Sequence, residues 1–150
     1  RPSIVYGRGG ASCELFIKLA RLPVIALPAG GKFMLQPVHA NDVAGGLVRL
    51  LENSALHGTI IPFTGSLHTS LAGYLAAMRT GLHRKPPLRV LPIPLALVKP
   101  FLPLTNVLSN GMVSAGSFAL LEEGSCADCT AFAELLGRKP LGVEEFWAVE

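Results

Sequence analysis

The chain has 150 residues, half of them hydrophobic and only 15% charged, with a net charge of +3. That length suits one domain burying about 70% of its unfolded surface. The mean hydropathy of +0.47 is high for a soluble domain, where about 25% charged residues is usual. It points either to a membrane or to apolar faces meant for a partner domain. The weak charge argues against nucleic acid: the densest basic spot, His83-Arg84-Lys85, is short, runs into two prolines and has no interleaved aromatics. Three cysteines cannot form a complete disulfide framework. No charged-then-apolar signal segment opens the chain, so the expected setting is reducing and cytoplasmic.

Ile4-Val5-Tyr6 reads as a buried strand running into a glycine turn at Gly7, Gly9 and Gly10. Such a strand needs ladder partners, no earlier strand is at hand and there is no initiator Met. The expectation is a sequence that begins inside a larger fold. Ser12 is placed to cap a helix over Cys13–Arg21, with Leu15, Phe16, Leu19 and Leu22 on one face and Pro23 ending it. Val24–Pro28 is a short strand, Ala29–Lys32 a turn, and Phe33–His39 a second extended segment with Pro37 at an edge or strand end. Asn41 or Asp42 is expected to cap a helix through Glu52 that buries Val43, Leu47, Leu50 and Leu51 and turns Arg49 and Glu52 to water.

Thr59–Thr64 reads as a strand. Thr69 or Ser70 caps a helix with Leu71, Tyr74, Leu75, Met78 and Leu82 at helical spacing, and Gly81 is near its end. Leu88–Pro94 is extended. Leu95–Leu104 is apolar, but Pro92, Pro94, Pro100 and Pro103 punctuate the region and Lys99 interrupts it. A spanning helix needs about 20 mostly apolar residues with their N–H groups bonded internally. A packed, broken helix is therefore expected, and the apolar composition is assigned to a partner domain. Ser114–Glu123 is a helix stopped by Gly124. Asp128 caps Cys129–Leu136, with Gly137 as its C′ residue. Val143–Ala148 is a last short helix anchored by Phe146 and Trp147.

Two motifs carry a family resemblance. Arg1-Pro2-Ser3-Ile4-Val5-Tyr6-Gly7, followed some thirty residues later by Gln36-Pro37-Val38-His39-Ala40-Asn41-Asp42-Val43-Ala44, resembles the C-terminal half of an extended or atypical short-chain dehydrogenase/reductase. These are the NAD(P)-dependent sugar epimerase/dehydratase-like proteins. The ordered pair of motifs is more specific than either alone, and the likeness weakens after Pro87. The family's glycine-rich nucleotide loop and its Tyr-x-x-x-Lys pair occur nowhere in the chain.

The resemblance implies an α/β fold: the last strands of a Rossmann-type sheet plus a small mixed α/β substrate domain with several helices. Residues 1–150 are then a single domain, with 1–68 closing the Rossmann core between substrate-domain strands and 69–150 forming a mainly helical lid. It implies the seventh strand of that sheet at Thr59–Thr64, beside the first stretch. It carries cofactor contacts over to Pro2, Ser3, Val5 and Tyr6, and substrate contacts to Gly10, Gln36 and His39. In sugar-nucleotide relatives a basic residue near Gln36 meets the diphosphate, and a neutral amide cannot supply that charge. NAD or NADP belongs to the full-length context, and the chain alone is expected to bind none.

Other constellations read as structural. Gly30-Gly31-Lys32 could approach an anion, but it lacks the phosphate-loop pattern and a following helix, and a plain turn suffices. His39 and Asp42 could shuttle protons, yet Asp42 sits at a helix start and His39 at a strand end. Cys126-Ala127-Asp128-Cys129 has no second ligand pair among Cys13, His39, His57, His68 and His83, so no metal site is expected. No catalytic residue is assigned. The resulting reading is the substrate-binding portion of an NAD(P)-dependent oxidoreductase or epimerase/dehydratase-like protein, not competent alone. Its partners are a nucleotide-binding Rossmann half, a small-molecule substrate and a second copy meeting it near residues 1–10 and 59–64. The alternatives are a non-catalytic dehydrogenase-like assembly or cofactor-sensing subunit, and a membrane-surface module using Leu95–Leu104.

Overall fold

A computed structural model describes residues 2–53, 56, 58–86, 88–98 and 126–149. The expected helix at Ser114–Glu123, the rest of residues 99–125 and His57 lie outside the described residues. The chain divides into two compact units: Arg1–Arg8, Leu35–Thr69 and Ser125–Glu150 in the first, Gly9–Met34 and Ser70–Gly124 in the second. The secondary structure is mixed α/β, as expected.

In the first unit, β1 (Val5–Tyr6) pairs in parallel with β4 (Val38–His39), Val5 opposite Val38 and Tyr6 opposite His39. On its other side the chain makes a parallel bridge from Pro2 to Phe63, and the Ser3 amide donates to the Phe63 carbonyl at 2.9 Å. The first strand therefore has neighbours on both sides. Thr59–Thr64 does lie beside it, but only Phe63 bridges, so no strand forms there. Pro62 has no N–H to give to a ladder, and Ile60 is 73% exposed.

Helix α2 (Ala40–Glu52) follows β4 without a loop. Its buried face is not the expected one. Asp42 and Gly46 are buried and Val43 and Leu50 pack against the core, whereas Leu47 is 52% and Leu51 85% exposed. The core explains the rotation. Val38, Phe63 and Phe132 form its centre, and the rings of Phe63 and Phe132 stack at 4.2 Å. Gly46 lies against that pair: a Cβ there would come within 2.7 Å of Phe132 and 2.9 Å of Phe63. A residue without a side chain is needed at this point, and it fixes which way the helix faces.

Phe132 belongs to α5 (Thr130–Leu136), which ends at Gly137 with φ +70, the left-handed C-terminal geometry expected of it. Asp128 acts one residue earlier than expected. Its Oδ1 accepts from the Thr130 hydroxyl at 2.6 Å and the Thr130 amide at 3.0 Å. Those two bonds, the hydroxyl first, hold its carboxyl below the usual range. The last helix is a 3-10 turn, Phe146–Ala148.

In the second unit, β2 (Val24–Pro28) pairs in parallel with β6 (Arg89–Ile93) along five residues. Helix α1 (Ala11–Ala20) starts two residues before the expected boundary, with Gly10 rather than Ser12 at its N-cap position and no side-chain cap. Helix α3 (Leu71–His83) is capped by Ser70, whose Oγ accepts from the Gly73 amide at 3.0 Å, and it buries Leu71, Tyr74, Leu75 and Met78 as the periodicity requires. Cys13, Ile17 and Ala20 of α1 and Ile25 and Leu27 of β2 are buried too, and α1 packs against α3. Arg79 is buried as well. Its Nη1 donates to the carbonyls of Ala20, Arg21 and Leu22 at 2.9–3.0 Å, and its Nε to Pro86 at 2.6 Å. It satisfies the carbonyls that the end of α1 leaves without helical partners. Short strands β3 (Met34–Leu35) and β5 (Thr69–Ser70) pair with each other, and α4 (Leu95–Val98) is the described part of the broken apolar stretch. Among the described residues no helix is long and apolar enough to cross a membrane.

Candidate functional site at the ends of the parallel strands

Parallel strands present ligands at their carboxyl ends, where the turns that follow leave a crevice. In the first unit β1 and β4 end side by side, β1 into Gly7-Arg8 and β4 into the first turn of α2. Gly7 is required at this point, because a Cβ would sit 2.8 Å from that of Ala40. The crevice is an open cleft of about 480 Å³ lined by Gly7, Arg8, His39, Ala40, Asn41 and Val149.

His39 is the pivot of the cleft. Its Nδ1 accepts from the Asn41 amide at 3.1 Å, so the histidine, not Asn41 or Asp42, caps α2. An N–H donor at Nδ1 requires a lone pair there, which places the ring proton on Nε2. The imidazole lies 5.6 Å from the ring of Tyr6 and 5.3 Å from that of Phe146. Tyr6 in turn stacks on Phe146 at 5.0 Å and meets Trp147 edge-on at 5.6 Å. Tyr6 and Phe146 are fully buried. A packed aromatic floor thus sets the angle of the histidine, the arrangement that holds a polar group in one geometry.

Asp42 takes no part in an acid–base pair with His39. It is fully buried, and its carboxylate accepts from Arg138 through Oδ1 and from the Leu141 amide through Oδ2 at 2.8 Å. A buried carboxylate needs such partners. These lie almost a hundred residues away in sequence.

The candidate residues read from the sequence are brought together only in part. Val5 and Tyr6 meet Val38 and His39 directly across the register. Pro2 and Ser3 stand at the opposite end of β1, bridged to Phe63. Gln36 is buried: its Nε2 donates to the Gly65 carbonyl at 2.7 Å and its Oε1 accepts from the Ala127 amide at 2.9 Å, so both ends of its amide hold backbone. Gly10 belongs to the other unit, at the start of α1. Gly31 is buried against Leu27 and Ala72 in the turn after β2, where a Cβ would meet Leu27 at 2.6 Å. Cys126 and Cys129 are free thiols. Among the described residues no group of three or more His, Cys, Asp or Glu side chains could hold a metal ion.

The sequence assigns neither Arg8 nor Asn41 to a site: Asn41 lies within the second motif as a cap candidate, and Arg8 directly follows the first motif. Arg8 and the first turn of α2 both line the cleft.

No protein-family model matches the sequence, and no curated protein does. Solved structures do. A nucleoside-diphosphate-sugar epimerase from Staphylococcus aureus superposes with a TM-score of 0.65 at 17% identity, over 98% of this chain and 50% of its own. UDP-glucuronic acid 4-epimerase from Bacillus cereus, in complex with UDP-glucuronic acid and NAD, gives 0.62 at 15% identity over 100% of this chain and 42% of its own. UDP-glucose 4-epimerase from Thermotoga maritima, with UDP-glucose, gives 0.60 at 15% identity over 98% and 42%. The chain therefore has the mixed α/β, Rossmann-like fold found in sugar-nucleotide epimerases. It spans half or less of the length of these three structures.

Proposed function

We propose that this chain is the substrate-side part of an NAD(P)-dependent oxidoreductase or epimerase/dehydratase-like protein. The observation that carries the reading is the superposition of nearly all of this chain on about half of several epimerases, one of them holding NAD and a UDP-sugar. The cleft at the ends of β1 and β4 supports it, because open α/β sheets bind ligands at that position. Its residues fit one wall of a cofactor site. The first turn of α2 lines it, and the backbone around Gly7 permits close approach. The glycine-rich turn that cradles a pyrophosphate is not in this sequence. NAD or NADP, when bound, supplies the hydride acceptor. This chain's share is to orient: His39, fixed by its bond to the Asn41 amide and by its contact with the Tyr6 ring, sets the shape of the cleft wall. The nucleotide-binding half and the Tyr-x-x-x-Lys chemistry come from outside these residues.

The test is a nuclear magnetic resonance titration of the chain with nicotinamide mononucleotide and, separately, UDP-glucose. Shifts clustered on Gly7, Arg8, His39 and Asn41 are expected with at least one of the two. Shifts confined to Gly30–Lys32, or absent from the cleft at saturating probe, contradict the assignment.

A further inference from the structure

In the second unit the charge is one-sided. Among its described residues Glu14, in the first turn of α1, is the one acid. Against it stand Lys32, in the turn after β2, and six cations gathered at one end. Lys18 is in the last turn of α1, Arg21 closes α1 and Arg84 closes α3. Arg79 reaches from α3 to the carbonyls of Ala20, Arg21 and Leu22 and to that of Pro86, tying the end of α1 to the turn after α3. That turn carries Lys85, and the Arg89 amide donates to the Pro23 carbonyl at 3.1 Å, which brings in the start of β6. Lys18, Arg21, Arg84, Lys85 and Arg89 are all exposed. Aliphatic side chains stand among them. Val24 lies opposite Arg89 and Ala26 opposite Leu91, so these four share the outer face of the β2–β6 pair, away from Ile25 and Leu27. Leu22 is 45%, Val24 43% and Leu91 57% exposed.

We propose that this end of the second unit docks on an anionic lipid surface. Charge complementarity and the aliphatic neighbours decide the occupant together. Lys and Arg side chains attract the negative headgroups, and apolar side chains beside them enter the interface. The bonds of Arg79 hold the helix end and the following turn as one platform, so the cations are presented side by side. Nucleic acid would leave Leu22, Val24 and Leu91 in water, and no aromatic ring is exposed among the described residues of this end to stack on a base. An acidic polypeptide would meet the charges and leave the outer sheet face unused. Lys18, Arg21 and Arg84 also suit the helix ends they occupy. Lys85 and Arg89 lie outside both helices, and the test rests on them.

Co-sedimentation of the chain with vesicles tests it, using phosphatidylcholine alone and phosphatidylcholine mixed with phosphatidylglycerol. Binding to the anionic vesicles is expected to be tighter by about tenfold or more and to fall as salt is raised. One cation near such a surface is worth about fivefold in partitioning, so Lys85→Gln/Arg89→Gln should weaken binding by about tenfold or more with an unchanged thermal melt. Arg49→Gln/Lys139→Gln removes the same charge from exposed positions of the first unit and should leave binding as it is. Leu22→Gln should weaken it too. Equal binding to both vesicles, or none to the anionic ones at low salt, overturns the proposal. So does binding indifferent to the Lys85/Arg89 change or to Leu22→Gln, or an equal loss in the two double variants. Retention of a DNA duplex or of poly-glutamate by a chain that leaves anionic vesicles unbound also overturns it.

Discussion

Replacing Asp42 by alanine is expected to be among the most damaging single changes in the first unit. The carboxylate is wholly buried, one oxygen on the Arg138 guanidinium and the other on the Leu141 amide. Loss of a hydrogen bond to a charged group costs about 1.5–3 kcal/mol, and a buried N–H left without a partner costs about 1–3 kcal/mol. The Arg138 side chain is 50% exposed and rehydrates once released, so the ion-pair share belongs at the low end. The net loss should be about 3 kcal/mol, a fall in Tm of roughly 6–12 °C for a domain of this size. Arg138→Ala strands the carboxylate with its backbone bond alone and should cost about 2–4 kcal/mol, because an uncompensated buried charge is the expensive outcome. The double variant should then be less destabilised than the sum of the two singles, with a coupling of about 1–2 kcal/mol. Urea unfolding monitored by circular dichroism measures all three. Asp42→Ala within about 0.5 kcal/mol of the parent, the range of an ordinary surface change, would refute the claim that this pair ties α2 to the C-terminal segment.

Gly46→Ala should destabilise by up to about 2 kcal/mol by the same assay. Overpacking the Phe63–Phe132 stack costs about 1–3 kcal/mol and outweighs the roughly 1 kcal/mol that alanine gains in a helix. Arg79→Met should cost about 2–4 kcal/mol, since four carbonyls lose a charged donor, and hydrogen exchange should show the end of α1 opening first. Titration calorimetry of the chain with NAD+, NADH, NADP+ and NADPH should detect no micromolar binding, because no pyrophosphate cradle is present in the sequence. A micromolar dissociation constant for any of the four would count against the account.

What the sequence made legible was local. The periodicity of Leu71, Tyr74, Leu75 and Met78 and the cap at Ser70 define α3 as found, because both signals act within a turn or two of helix. The β-branched run at Val24–Pro28 and the left-handed stop at Gly137 hold for the same reason. The face of α2 could not be read that way. Leu47 and Leu51 have the right spacing, but Asp42 and Gly46 win the buried side through Arg138, Leu141, Phe63 and Phe132, all distant in sequence. His39 was read as a strand end and is also the helix cap, since β4 passes into α2 with no residue between. The Gln36 amide spans the Gly65 carbonyl and the Ala127 amide, a bridge that only the folded chain brings together.

The central claim is that these residues form the substrate-side part of a larger NAD(P)-dependent fold. Its most direct test is the coding sequence immediately upstream of the Arg1 codon. The account predicts an in-frame segment of comparable length that carries a glycine-rich strand-to-helix turn near its start and a Tyr-x-x-x-Lys pair before Arg1. An in-frame stop just upstream, or an unrelated sequence without the glycine-rich turn, would contradict it.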